Sequence, residues 1–472
     1  MQEVLDYFDS VVYNDLPAHL IYVPEMRLIN RADIFGIVRP HEVIHNQMVL
    51  VLDSWTAKAR AKATLMKHLN YAIFSHRWLR EGEPTFADMQ TPAAKTGPGF
   101  EKLARFCEKA KEYDCIFAWS DTCCIDKSSS ADLDEAIRSM FKWYRNAFIC
   151  IVHLATSSSL DDLSDDPWFT RGWTLQELLA PEQIKFYGTN WISLTSHLND
   201  KDTDEDTHTS IMRVVSKVTS IPFGQLMNFQ PRTHQIAMKM SWAAMRRTTR
   251  IEDTAYSLMG IFDVSITIAY GERERAFFRL LQAVVEGSRQ GTWEVLAWLG
   301  ERNPYCHSLP KSPVSYKPLA TLQRTWSSGQ ISQSDIPWAF ACGDPSLQIS
   351  PRGVEVNVLL VECTSTLDES NLHHVLSPTG TAGERDDSYD ETVAIQSDSD
   401  RLALVDEFAL GVLDFWNDDM DEGLLKANQE YICLFLGTGP TSTALFKVRT
   451  NNIITLKVRR DVRSKLTKVW LA

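Results

Sequence analysis

The sequence predicts an α/β domain built on a parallel sheet with flanking helices, followed by a helical segment and a C-terminal region that is mainly β. Three observations carry this reading. Short apolar runs alternate with amphipathic segments between residues 71 and about 190, helical spacing takes over from Thr233 to Ser288, and strand-like runs separated by Pro and Gly follow after about residue 310. Strands alternating with helix-length amphipathic segments are the pattern of parallel βαβ units.

The apolar runs are Tyr71 to Ser75, Cys115 to Trp119, Phe148 to Leu154 and Ile184 to Tyr187. Each is bounded by polar or Gly/Pro residues and is apolar almost throughout, as strands buried on both faces are. Between the first two, Leu103, Phe106, Cys107 and Ala110 share one helix face. Between the second and third, Leu133, Ala136, Ile137, Met140, Phe141 and Tyr144 do the same. Asp132, Asp134 and Glu135 stand in the first turn of that helix, where they complement its dipole, and Ser128 to Ser130 supply candidate N-caps. Trp173 to Ala180 reads as a shorter helix stopped by Pro181.

Asn199 to Ser210 is acidic and rich in Thr, and is expected to be a solvated loop. Ile236, Met240, Ala276, Phe277, Leu280 and Val284 mark helices expected to dock on the sheet domain. Gly353 to Cys363, Tyr431 to Leu436 and Ile453 to Val458 are the clearest runs of the β region. Within that region Thr364 to Asp400 holds nine acidic residues against one arginine, which predicts a long disordered loop.

Over 472 residues, 48 Lys plus Arg against 61 Asp plus Glu leave a net charge of −13, which disfavours nucleic acid as a partner. The densest basic cluster, Arg246, Arg247 and Arg250, is too short to reverse that. Met1 to Ser10 lacks the basic and apolar regions of a secretory signal, and no apolar run approaches the roughly 20 residues of a membrane span. Nine scattered cysteines, two of them adjacent at Cys123 and Cys124, suit a reducing, cytoplasmic compartment. Cys107, Cys115, Cys123, Cys124, His76 and His153 include no CxxC or HxxxH pair, so no metal site is expected among them, and the absence of GxxxxGK[ST] disfavours a nucleotide triphosphatase.

In an open parallel sheet, ligands bind outside the carboxyl ends of the strands. Ser75, His76, Arg77 and Trp78 follow the first run, Ser120, Asp121 and Asp126 the second, and Asp161 to Arg171 the third. Trp173 and Glu177 are four residues apart and share a helix face. A glutamate desolvated beside an indole has a raised pKa, suited to proton transfer or to stabilising a developing positive charge. An ordinary helix-surface glutamate near a core tryptophan has the same spacing, and both readings stand. His76 offers a base or a phosphate contact and Arg77 a planar fork for phosphate or carboxylate, while either also suits a structural ion pair.

These residues lie in longer motifs: YAIFSHRW (Tyr71 to Trp78), WSDTCCIDKSSSADLDEAIRSMFKWYRNA (Trp119 to Ala147) and PWFTRGWTLQELLAP (Pro167 to Pro181). Downstream stand MSWAAMRRTTRIEDTAYSLMGIFDV (Met240 to Val264) and YGERERAF (Tyr270 to Phe277). Together they resemble the fungal heterokaryon-incompatibility (HET) domain and the segment that often accompanies it, over about residues 26 to 300. The resemblance implies a domain at 26–200 after an N-terminal extension at 1–25, an associated helical segment at 211–300, and an unplaced β region at 310–472. It also implies a role in self/non-self recognition, with activation triggering growth arrest or programmed cell death.

HET domains are remotely similar to TIR domains, which have a flavodoxin-like fold. Some of these cleave NAD at the nicotinamide–ribose bond, and others act by assembling into signalling complexes. By this resemblance Glu177, in the WxxxE arrangement with Trp173, is the candidate catalytic residue for NAD cleavage, through an oxocarbenium-like transition state. Ser75, His76, Arg77, Trp78, Asp121 and Trp173 are the candidate residues around the dinucleotide. The alternative is a non-enzymatic module acting by self-assembly or partner binding. Arg77 stands where the family commonly has a small polar residue and Ser120 where it has an aliphatic one.

Overall fold

In the computed structural model the described residues are 2–49, 54–91, 96–202, 210–288, 292–317, 347–350, 353–368, 373–378, 393–395, 407–413, 424–425, 430–439, 442–447, 454–459, 462–463 and 465–471. They form two compact units. The first comprises Met1–Pro231 and Arg246–Thr248, the second Arg232–Met245 and Thr249–Ala472.

The first unit opens with α1 (Gln2–Asn14), β1 (His19–Tyr22), β2 (Arg27–Asn30), α2 (Arg31–Val38), α3 (Pro40–Val49) and α4 (Ser54–His68). It continues with β3 (Tyr71–His76), α5 (Phe86–Gln90), α6 (Pro98–Glu112), β4 (Phe117–Trp119), α7 (Ser130–Asn146) and β5 (Ile149–His153). After β5 come α8 (Thr174–Leu179), β6 (Ile184–Tyr187), α9 (Ile211–Thr219) and α10 (Phe223–Met227). Its six strands form one sheet in the order β2-β1-β4-β3-β5-β6.

The four apolar runs are parallel neighbours. Every residue of β3 and β6 is buried, as expected of strands covered on both faces. The sheet is nevertheless mixed, because β1 runs antiparallel to both β2 and β4. Residues 1–25, read from sequence as an extension, therefore supply β1, a strand held between β2 and β4, and the helix α1, which buries Val4, Leu5, Phe8 and Val12. A tight turn joins β1 to β2, with Met26 left-handed at φ 48°, and so short a connection permits only antiparallel pairing.

Both linking helices follow their sequence patterns. α6 buries Leu103, Phe106, Cys107 and Ala110, and α7 buries Ala136, Ile137, Met140, Phe141 and Tyr144. The Ser129 hydroxyl caps α7 by accepting from the Asp132 N–H.

The acidic stretch after β6 departs from expectation. Asp200 is buried, pairs with the Lys185 ammonium at 3.0 Å and accepts from the Phe186 N–H, while Asn199 Oδ1 accepts from the Ile184 N–H. Residues 203–209 of that stretch lie outside the described residues.

The second unit contains α11 (Ile236–Ala243), α12 (Asp253–Tyr256), α13 (Met259–Phe262), α14 (Arg275–Gly287), β7 (Arg302–Asn303) and β8 (Cys306–Pro310). Its large antiparallel sheet is built from β9 (Gln348–Ser350), β10 (Gly353–Asp368), β11 (His373–Pro378), β12 (Val393–Ile395) and β13 (Glu407–Val412). β14 (Leu424–Leu425) lies off that sheet, and β15 (Glu430–Gly439), β16 (Ser442–Lys447) and β17 (Ile454–Lys457) continue it. β18 (Val462–Arg463) pairs with β14, and β19 (Lys465–Leu471) returns to β10.

Leu359, Val361, Leu410, Val412, Tyr431, Phe435 and Leu456 are part of the core of this unit. The C-terminal region is thus mainly β, as read. Two expectations are corrected. The helices at 236–287 belong to the unit of the C-terminal strands rather than to the parallel-sheet unit, because an amphipathic stripe says that a helix docks and not on what. Within 364–400 the chain forms the end of β10 as well as β11 and β12, where β-branched residues and backbone pairing override the polar composition. The rest of that stretch lies outside the described residues.

Candidate functional site

Because β3 is hydrogen-bonded on both sides, its last residues sit among the carboxyl ends of its neighbours. His76 is in register with His153 of β5, and Ser75 with Val152. Ser75 is fully buried, and its hydroxyl works in both directions. It donates to Oε2 of Glu177 at 2.5 Å and accepts from the Trp168 indole N–H at 2.8 Å.

Glu177 itself is 5% exposed. Burial, and then the negative charge of Asp121, push its carboxyl up to about 7, against the pull of Arg171, the Ser75 hydrogen bond and the nearby Tyr144 hydroxyl. The carboxyl is therefore near half-ionised at neutral pH, where an acid–base group is most effective. The Tyr144 hydroxyl donates its proton to the Phe74 carbonyl at 2.8 Å, tying α7 to β3 beside the carboxylate.

A second cluster lies at the end of β4. Asp121 accepts from the Trp78 indole N–H at 2.9 Å, and the Trp78 ring carries the Lys127 ammonium 4.1 Å and the Arg171 guanidinium 5.0 Å from its centroid. Trp78 is 40% exposed, so this part of the site faces solvent. A carboxylate at its N–H and two cations over its ring fix the orientation of this indole.

His76 is buried, with neither ring nitrogen hydrogen-bonded and Nε2 3.9 Å from a Glu83 carboxylate oxygen. Burial, and then the positive charge of Lys102, hold its pKa well below the usual imidazole value, so the ring is neutral. His153, pushed down to about 4 mainly by burial, stacks on Trp191 with centroids 4.4 Å apart. Arg77 is exposed, and its carbonyl accepts from Lys102 at 3.3 Å. Asp126 accepts from Ser128 in a turn before α7, which is its structural reading.

The structure thus brings Ser75, Glu177 and Asp121 together, with Trp78 and His76 at the edges. It corrects one pairing. The indole tied to Glu177 is that of Trp168, through Ser75, rather than that of Trp173, which stands just before α8 and whose carbonyl accepts from the Glu177 N–H. Burial raises the thiol pKa of Cys107, Cys124 and Cys150, so none of these three is an activated nucleophile.

Tyr144 and Arg246 stand outside the sequence-derived site, and Trp168 and Arg171 enter it only as part of the segment Asp161 to Arg171. Tyr144 reads as part of the apolar face of its helix, and only its polar tip reaches the site. Arg246 arrives from 69 residues beyond Glu177, on a segment whose apolar pattern says nothing of its docking place.

Residues 71–164 match the family profile described as "Heterokaryon incompatibility protein (HET)". The chain carries a HET domain. The matched span includes β3, β4, α7 and β5, and Glu177 follows it. The HET-domain chain is 40% identical over 228 residues to Vegetative incompatibility protein HET-E-1 of Podospora anserina. That alignment covers 45% of this chain and 16% of the relative, so the chain spans about a sixth of the length of the curated relative it matches. No solved structure matches it significantly. Among the described residues no helix is long and apolar enough to cross a membrane.

Proposed function

We propose that this chain is an effector of heterokaryon incompatibility, and that its HET domain triggers growth arrest or cell death by hydrolysing NAD at the Glu177 site. The observation that carries the chemical half is the Glu177 carboxyl, buried at the carboxyl ends of parallel strands with a pKa raised to about 7. Numbered along the chain, the four parallel strands lie in the order second, first, third, fourth. This order matches that of flavodoxin-like sheets and supports a TIR-like reading with its switch point between β3 and β5, beside Ser75 and His153.

In the proposed reaction the bond between ribose C1′ and the nicotinamide nitrogen breaks, and its electron pair leaves with nicotinamide, which departs neutral. Ionised Glu177 stabilises the positive charge that develops on the ribose. Water adds to C1′ and releases a proton, giving ADP-ribose.

A second reading has its own observation. Ser75, His76 and Glu177 are 0%, 4% and 5% exposed, a closed arrangement that suits a structural core in a module signalling by self-assembly or partner binding. Induced expression of the chain and of Glu177→Gln in a filamentous fungus separates the two. Loss of both growth arrest and NAD depletion in the variant supports the enzyme, and equal arrest with steady NAD supports assembly.

A further inference from the structure

Arg246–Thr248 belongs to the first unit, although its chain neighbours on both sides belong to the second. The tripeptide is seated by backbone pairing. The Arg247 N–H donates to the Thr170 carbonyl at 2.7 Å, and the Arg247 carbonyl accepts from the Gly172 N–H at 2.8 Å, so Arg247 forms a parallel bridge with Arg171. Gly172 makes the close approach possible, since a Cβ there would lie 2.4 Å from the Thr248 methyl.

The seat aims the Arg246 side chain at the start of α8. Nη1 donates to the Arg171 carbonyl at 3.0 Å and to the Thr174 hydroxyl at 2.8 Å. Thr174 and Glu177 are three residues apart and share a helix face. Nη2 is buried and has no hydrogen-bond partner, a costly state for a cationic donor unless a nearby negative charge offsets it. The Glu177 carboxylate is within electrostatic reach of this guanidinium and favours its charge.

We propose that Arg246 is a positioning residue for the Glu177 site. Its buried guanidinium fixes the first turn of α8 and adds a positive charge, beside that of Arg171, that favours the ionised Glu177 carboxylate. The other groups that face Glu177 are Asp121 after β4, Tyr144 of α7, Cys150 of β5 and Arg171 before α8. Arg246 is the one brought by the segment that runs out to the second unit, so unseating the tripeptide removes a charge from the site without disturbing the sheet. The proposal rests on Glu177 being the working carboxylate. Its test reads the carboxyl directly, and so stands whether or not NAD is the substrate.

The test is an infrared pH titration of the full-length chain, following the protonated-carboxyl band that Glu177→Gln removes. In Arg246→Met the midpoint rises by about one pH unit, the low end of the effect of an adjacent opposite charge, and Arg246→Lys restores it. Gly172→Ala, which crowds the tripeptide off its seat, raises the midpoint as well, and adding Thr248→Ser, which removes the crowded methyl, brings it back. An unchanged midpoint in folded Arg246→Met overturns the proposal. Should that variant not fold, an unchanged midpoint in Gly172→Ala overturns it equally.

Discussion

Ser75 and Glu177, 102 residues apart in the chain, are joined by a 2.5 Å hydrogen bond from the hydroxyl to Oε2. The same hydroxyl accepts from Trp168, so one small side chain links the end of a central strand, the turn before α8 and the buried carboxyl.

Ser75→Ala leaves the Trp168 N–H without an acceptor and the carboxylate without its Ser75 donor. We expect a stability loss of about 1–3 kcal/mol in urea unfolding. The hydroxyl favours the ionised carboxyl, so the Glu177 midpoint moves above its wild-type position near 7. A midpoint that falls instead contradicts the bond drawn here.

Stability itself depends on pH through Glu177. Its folded pKa, about 7, exceeds the ordinary carboxyl value of 4.5, so the native state holds a proton that the unfolded state has released. The contribution is fully present below pH 4.5 and is lost as pH rises through 7, a change on the order of 3 kcal/mol. Thermal unfolding of wild type and Glu177→Gln across this window measures it. The variant shows the flatter profile, and parallel profiles contradict the raised pKa.

The ion pair of Lys185 with Asp200 has both side chains almost fully buried, at 3% and 0% exposure. Asp200→Ala strands the ammonium and costs about 3–5 kcal/mol in denaturant unfolding. A loss below about 1 kcal/mol, the range of a surface pair, contradicts the buried geometry.

What the sequence reveals follows from how local each signal is. The four parallel strands are legible because burial on both faces forces continuous apolar runs, and that rule leads directly to Ser75 and Asp121 at their ends. Glu177 is legible from its spacing on α8, yet the tryptophan linked to it is not. Helix spacing selects Trp173, whereas the bond to Ser75 comes from Trp168 in the preceding turn. The β1–β2 pair is hidden because its strands are only partly buried and, unlike β6, make no continuous apolar run. Asp200 reads as solvated because its partner Lys185 lies in a strand 15 residues earlier. Arg246 carries no pattern at all, since its place is set by backbone pairing to Thr170 and Gly172.

The most direct measurement is nicotinamide release from NAD by the purified full-length chain at high concentration, with Glu177→Gln beside it, between pH 6 and 8. Ionised Glu177 is the form that stabilises the ribose cation, so we expect release that rises with pH through about 7 and vanishes in the variant. Equal release by both proteins, or none from a folded wild type, contradicts Glu177 as the working carboxylate.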